Sequence, residues 1–120
     1  MKDLLLKLGI MFFLACCSSA KSEVYFHIQN NNTKAIIENV VVSNGINNKF
    51  LPAINPDSEE IIVLKFENVP RTDGGYQIRY TLNSKNYFKA FGYYSNGVPS
   101  NSIYYLTIKK DTILIKERRK

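Results

Sequence analysis

The chain has 120 residues, enough for one domain and too few for two. It is 45% hydrophobic and 22% charged with a formal net charge of +6, which excludes an intrinsically disordered chain. Ile, Val, Tyr, Phe and Thr recur in short runs, and no interval carries a helical apolar stripe, so the composition is that of a β protein.

Residues 1–20 stand apart from the rest. Lys2 and Lys7 lead into the apolar run LGIMFFLACC at 8–17, and Ser18-Ser19-Ala20 follows with small residues at the positions a signal peptidase reads. This resembles a secretory signal peptide, since the run is half of the roughly 20 residues that a membrane-spanning helix needs. Leu14-Ala15-Cys16-Cys17 is also similar to the box before the lipidated cysteine of bacterial lipoproteins, which makes Cys16 and Cys17 the candidate lipidation positions. Two fates follow: a lipoprotein anchored to the membrane, or cleavage after Ala20 to give a cysteine-free periplasmic or secreted chain. Cleavage would remove Lys2, Lys7 and Asp3, leaving 14 basic and 9 acidic residues of the original 16 and 10, a net +5.

The domain is expected over 21–117, with 118–120 as a basic tail. VYFHIQ at 24–29 alternates as a strand with Val24, Phe26 and Ile28 on one face, and Asn30-Asn31-Asn32-Thr33 ends it as a turn. That turn also fits a glycosylation sequon, relevant only in a eukaryotic source. AIIENVVV at 35–42 is apolar on both faces, as in a central strand, with an irregularity near Glu38 and Asn39. Residues 43–49 read as a loop. Leu51 to Pro56 holds two prolines and cannot be a central strand, so it reads as an extended crossover or a short edge strand. IIVLKF at 61–66 is the third clear strand, and Val69 to Gly75 a loop.

Tyr76 to Tyr94 reads as a hairpin about a four-residue turn, Asn83-Ser84-Lys85-Asn86. A symmetric closure places Leu82 opposite Tyr87, Ile78 opposite Phe91 and Tyr76 opposite Tyr93, so the apolar sets share a face. Lys89 falls opposite Tyr80 and can extend past its ring to water. After the loop at 95–101, SIYYLTIKKDTILIKE forms a second hairpin. A two-residue turn at Lys110-Asp111 sets Ile108 against Ile113 and Leu106 against Ile115. The expectation is an all-β, seven-stranded antiparallel β-sandwich of immunoglobulin-like architecture, with a small β-barrel as the alternative.

No catalytic constellation stands out. His27 is the single histidine and lacks partners for a triad or a histidine metal site. A hydrolase built from Asp73 with Glu59 or Glu60 is the least weak enzymatic reading, and solvated turn residues the stronger one. The Asp57 turn lacks the spacing of a calcium loop. Gly74-Gly75 precedes a strand and no Lys-Ser or Lys-Thr pair, so it is no phosphate loop. The chain is therefore expected to be no enzyme, without metal or cofactor.

The eight tyrosines and seven phenylalanines are the most suggestive feature. In the register above Arg79, Phe88 and Tyr94 point away from the core with Thr81, an aromatic-basic patch suited to a protein partner or glycan. The basic residues Lys109, Lys110, Lys116, Arg118, Arg119 and Lys120 supply only the electrostatic half of a nucleic-acid signature, so nucleic acid is not expected. Membrane contact is expected only through a lipid anchor. The sequence thus points to an exported, non-catalytic binding or structural protein of the bacterial envelope. The alternative is a secreted inhibitor, adhesin or effector that uses the Tyr/Phe patch or the 95–101 loop.

Overall fold

The computed structural model describes residues 22–100 and 102–119, so the segment expected to be a signal peptide, with Cys16 and Cys17, lies outside the described residues. Eight strands occur among them: β1 (Glu23–Asn30), β2 (Ile37–Ser43), β3 (Asn48–Ile54), β4 (Glu59–Lys65), β5 (Gly74–Leu82), β6 (Lys85–Tyr94), β7 (Ser102–Ile108) and β8 (Ile113–Arg119). They form two four-stranded sheets, a first in the order β4-β1-β7-β8 and a second in the order β3-β2-β5-β6. The two pack as a β-sandwich.

Of the two readings offered for Leu51 to Pro56, the edge strand holds: it is the end of β3, which begins at Asn48 inside the expected loop and brings the strand count to eight. Pro52 cannot donate to a ladder, but β3 is an edge strand and its pairing with β2 passes over Pro52, between Leu51 opposite Val40 and Ala53 opposite Glu38. The all-antiparallel expectation also needs correction, because β1 runs parallel to β7 at the centre of the first sheet, with Tyr25 level with Ile103. The irregularity expected in β2 is present: the β2–β5 register shifts between Glu38 and Val41, and Asn39 takes a left-handed φ of 51°.

The last hairpin has the expected register, Ile108 opposite Ile113 and Leu106 opposite Ile115. The β5–β6 hairpin does not. Asn83 and Ser84 have φ of 51° and 64°, which makes a two-residue turn of the mirror-image type that matches strand twist. Leu82 therefore faces Lys85, Tyr80 faces Tyr87, Ile78 faces Lys89 and Tyr76 faces Phe91. The slip is two residues, so faces are kept while partners change. Tyr80 and Tyr87 stack as cross-strand partners with centroids 5.2 Å apart.

The alternation along each strand fills the space between the sheets. Its interior is aliphatic at one end, with Ile28, Ile37, Ile54, Leu82, Leu106 and Ile108 buried. At the other end it is aromatic, where Phe26, Phe66, Tyr76, Phe91, Tyr94 and Tyr104 contact one another with centroids 5.0–6.2 Å apart. Edge-to-face and tilted pairs of this kind add to what area burial alone supplies.

Two asparagines fix the ends. Asn30 is fully buried and uses all its side-chain capacity. Its amide donates to the carbonyls of Ala35 (2.8 Å) and Ile54 (3.0 Å), and its Oδ1 accepts from the backbone and side chain of Asn32. The turn expected at Asn30 is thus the buried last residue of β1. At the opposite end Asn44 caps its own loop through Ile46 and Asn47, and Asn47 clasps the backbone of Glu67 by both N–H and C=O.

Candidate functional site

The outward face of the second sheet carries a row that crosses all four strands. Phe50 on β3 stands opposite Val41 on β2, Val41 opposite Arg79 on β5, and Arg79 opposite Phe88 on β6. With strands about 4.8 Å apart the row spans about 14 Å. Phe50 and Phe88 are each 59% exposed, and Arg79 is exposed between them. An exposed aromatic at both ends of a cationic row is more than strand propensity requires, since an outward phenylalanine gains little from packing.

A polar row borders it. Thr81 stands opposite Asn86 and Glu38, and its hydroxyl donates to Asn86 Oδ1 at 2.8 Å. Asn39, Val41, Arg79, Thr81, Asn86 and Phe88 line a shallow groove here. The arrangement can stack on a flat or apolar group and pair a negative one. It contains no nucleophile–base pair.

Of the residues singled out by sequence, Arg79 and Phe88 are brought together as a cross-strand pair. Tyr94 is not. Gly92 takes φ 69°, the β5–β6 register shifts between Gly74 and Tyr76, and the faces of the residues beyond are exchanged. Tyr94 is consequently 5% exposed in the core, where its hydroxyl donates to the Asn44 carbonyl at 2.8 Å, and Tyr93 is the exposed member of the pair. Phe50 was missed because it fell between the loop read at 43–49 and the segment read from Leu51, whereas β3 runs through both from Asn48 to Ile54. Val41 lay in a run apolar on both faces, which hides the outward residue.

The carboxylates named from sequence are not brought together. Asp73 lies in the loop before β5 and accepts the Asn96 N–H at 3.0 Å, which with the neighbouring Tyr93 holds its carboxyl below the usual range. Glu59 and Glu60 begin β4 at the other end of the sandwich, about 20 Å away by the rise of a strand of this length. Glu59 instead faces His27, whose Nδ1 is 2.9 Å from its Oε1. His27 lies on the outer face of the first sheet, its ring 4.8 Å from that of Tyr105. The basic residues are spread along the molecule, with Lys109 and Lys110 at one end and Arg118 and Arg119 at the other. No group of three or more His, Cys, Asp or Glu able to hold a metal occurs among the described residues.

No protein-family model matches the sequence, and none of the curated proteins compared with it does. Among solved structures the chain is similar to the NMR structure of a protein from Eubacterium rectale, with a TM-score of 0.51 at 9% identity. The likeness covers 86% of this chain and 95% of that one. At that identity it is a likeness of fold: two layers of strands with nearly the same extent.

Proposed function

We propose that this chain is an exported β-sandwich of immunoglobulin-like type, belonging to the bacterial envelope or its surroundings, that acts by binding and not by catalysis. Residues 1–20 serve as its signal peptide, and Cys16 or Cys17 is the anchoring position if the precursor is processed as a lipoprotein. The single observation that carries the binding reading is the row Phe50–Val41–Arg79–Phe88 across the second sheet, with Phe50, Arg79 and Phe88 exposed and Val41 half-buried among them. A partner with a flat apolar surface and an acidic group, whether an envelope protein or an anionic glycan, fits it.

The test is affinity capture from envelope extract, comparing the unaltered protein with an Arg79→Ala, Phe88→Ser variant. The expected result is a partner retained by the first and lost by the second, at equal thermal midpoints. A partner held equally by both would end this reading, and so would capture of none.

A further inference from the structure

Two open sheets leave four edge strands, β3, β4, β6 and β8, and three of them are guarded. β3 carries Pro52 and lies against β4 across one side of the sandwich. β4 opens on Glu59 and Glu60 and closes on Lys65. β8 ends in Lys116, Glu117, Arg118 and Arg119, a charged edge that discourages pairing. β6 is the longest strand, with ten residues, and Lys85 and Lys89 are its only charges.

The turn decides which backbone groups of β6 are spare. In a two-residue hairpin the flanking pair, Leu82 and Lys85, exchanges hydrogen bonds, and every second pair beyond it does the same. Lys85, Tyr87 and Lys89 thus turn their N–H and C=O toward β5. Asn86, Phe88 and Ala90 turn theirs toward the open edge, and their exposed side chains lie on the outer face. On the inner face Lys85, Tyr87, Lys89 and Phe91 stand opposite the buried Leu82, Tyr80, Ile78 and Tyr76. Both lysines are exposed and have no ion pair among the described residues. Tyr87 is stacked flat on Tyr80, with 11° between the rings, so its other face looks across the open edge.

Inward lysines at an edge repel most added strands, because each brings a charge beside the core. A second β6 is the exception. Laid antiparallel on its copy about Phe88, β6 sets Lys89 of each chain against Tyr87 of the other, and Lys85 against Phe91. Each cation then meets a ring, Lys89 on the free face of Tyr87. Phe88 stands opposite Phe88 and Asn86 opposite Ala90, so all three spare N–H groups are paired. Centring the pair on Tyr87 instead would set Lys85 against Lys89, and centring it on Lys89 would set Lys89 against itself. Like charges directly opposite are unfavourable, so the pattern selects the register about Phe88.

We propose that β6 is a self-association edge, through which two copies of this chain join their second sheets into one, four strands from each. The row Phe50–Val41–Arg79–Phe88 then runs on into that of the copy, its four positions doubled to eight and spanning about 34 Å at about 4.8 Å per strand. Phe88, exposed in the single chain, is covered by its own copy at the centre. The inference goes beyond the binding reading and does not rest on it, because association needs no third molecule.

The test is sedimentation of the full chain, kept reduced, over a range of concentrations, with amide exchange followed by NMR at low and high concentration. The expected result is a monomer–dimer equilibrium in which the Asn86, Phe88 and Ala90 amides gain protection as dimer forms. Tyr87 and Lys89, already bonded to β5, stay protected throughout. Ala90→Pro removes a spare N–H and no bond to β5, so it should keep the parent's dispersed amide spectrum and remain monomeric. Lys89→Glu should dimerise about tenfold more weakly, since two cation–ring contacts are lost per dimer.

A monomer at every concentration would overturn the proposal. So would a dimer whose newly protected amides belong to β8, or one that either variant leaves at full strength. Partner capture through Arg79 and Phe88 would survive each of these results, which separates failure here from failure of the sheet-face reading.

Discussion

Tyr76 shows how a residue that suits its strand can still sit badly in one atom. Its ring is 1% exposed and contacts Phe26, Phe66, Phe91, Tyr94 and Tyr104, yet its hydroxyl has no hydrogen-bond partner among the described residues. An orphaned buried hydroxyl costs about 1–3 kcal/mol against a phenyl ring of the same shape. Tyr76→Phe is therefore expected to raise stability by about 1 kcal/mol at neutral pH, read as a higher urea midpoint. Burial, with Tyr104 and Tyr94 close by, pushes its ionisation well above the ordinary 10.0, and burial also raises Tyr80 and Tyr104. Because the folded chain holds these protons more tightly than the unfolded one, their contribution is intact below pH 10 and falls as pH rises beyond it. Tyr76→Phe should lessen that alkaline loss in a pH series of midpoints; an unchanged slope would show that the ring ionises freely. Asn30 is the contrary case, a buried polar group with every position satisfied. Asn30→Ala removes four hydrogen bonds at once and should cost about 2–4 kcal/mol, with the denaturant slope unchanged.

At the scale of the element, the β5–β6 hairpin separates what alternation can say from what it cannot. A period of two identified Tyr76, Ile78, Tyr80 and Leu82 as one face, and all four are in the core. The same period is blind to a slip of two, so the choice between a four-residue and a two-residue turn fell to Asn83 and Ser84, and Ser is an unusual residue at a left-handed position. Ser84→Gly should relieve this and raise the thermal midpoint by a few degrees, about 0.5–1 kcal/mol. Gly92 was equally silent in sequence. It turns one register step into the bulge that sends Tyr94 inward and Tyr93 outward. A Cβ there would fall 2.8 Å from both Tyr104 Oη and Tyr76 Cδ2, on a backbone with φ of 69°. Gly92→Ala is expected to cost at least about 2 kcal/mol, since strain and overpacking add. It should also shift the Tyr93 and Tyr94 ring signals in an NMR spectrum, and a variant as stable as the parent would mean the bulge can migrate.

For the whole molecule, most strands, their buried faces and the β7–β8 partners were legible because their signals are local: turns next to runs, faces within runs. Which sheet a strand joins is a long-range matter, and nothing in Val24 to Gln29 announces that it lies between β4 and a parallel β7. The candidate row was half legible for the same reason. Arg79 and Phe88 are neighbours through one hairpin, whereas Phe50 reaches them only through the stacking order of four strands. The pairing of Tyr25 with Ile103 joins positions 78 apart (103 less 25), so the first sheet closes only when the far end of the chain is present. β1 also supplies Val24, Phe26 and Ile28, each fully buried, and pairs on both sides. Removing residues 22–30 would leave β4 and β7 without their shared partner and the aromatic cluster without Phe26. The shortened chain is expected to lose both its cooperative melting transition and its dispersed amide spectrum. Removing 118–120 from the end of edge strand β8 should cost less than about 1 kcal/mol, because an edge terminus frays at little expense. A β1-less chain that still melted cooperatively would show that β4 and β7 can pair directly. The centre of the first sheet would then be replaceable, and the fold would not hang on its first strand.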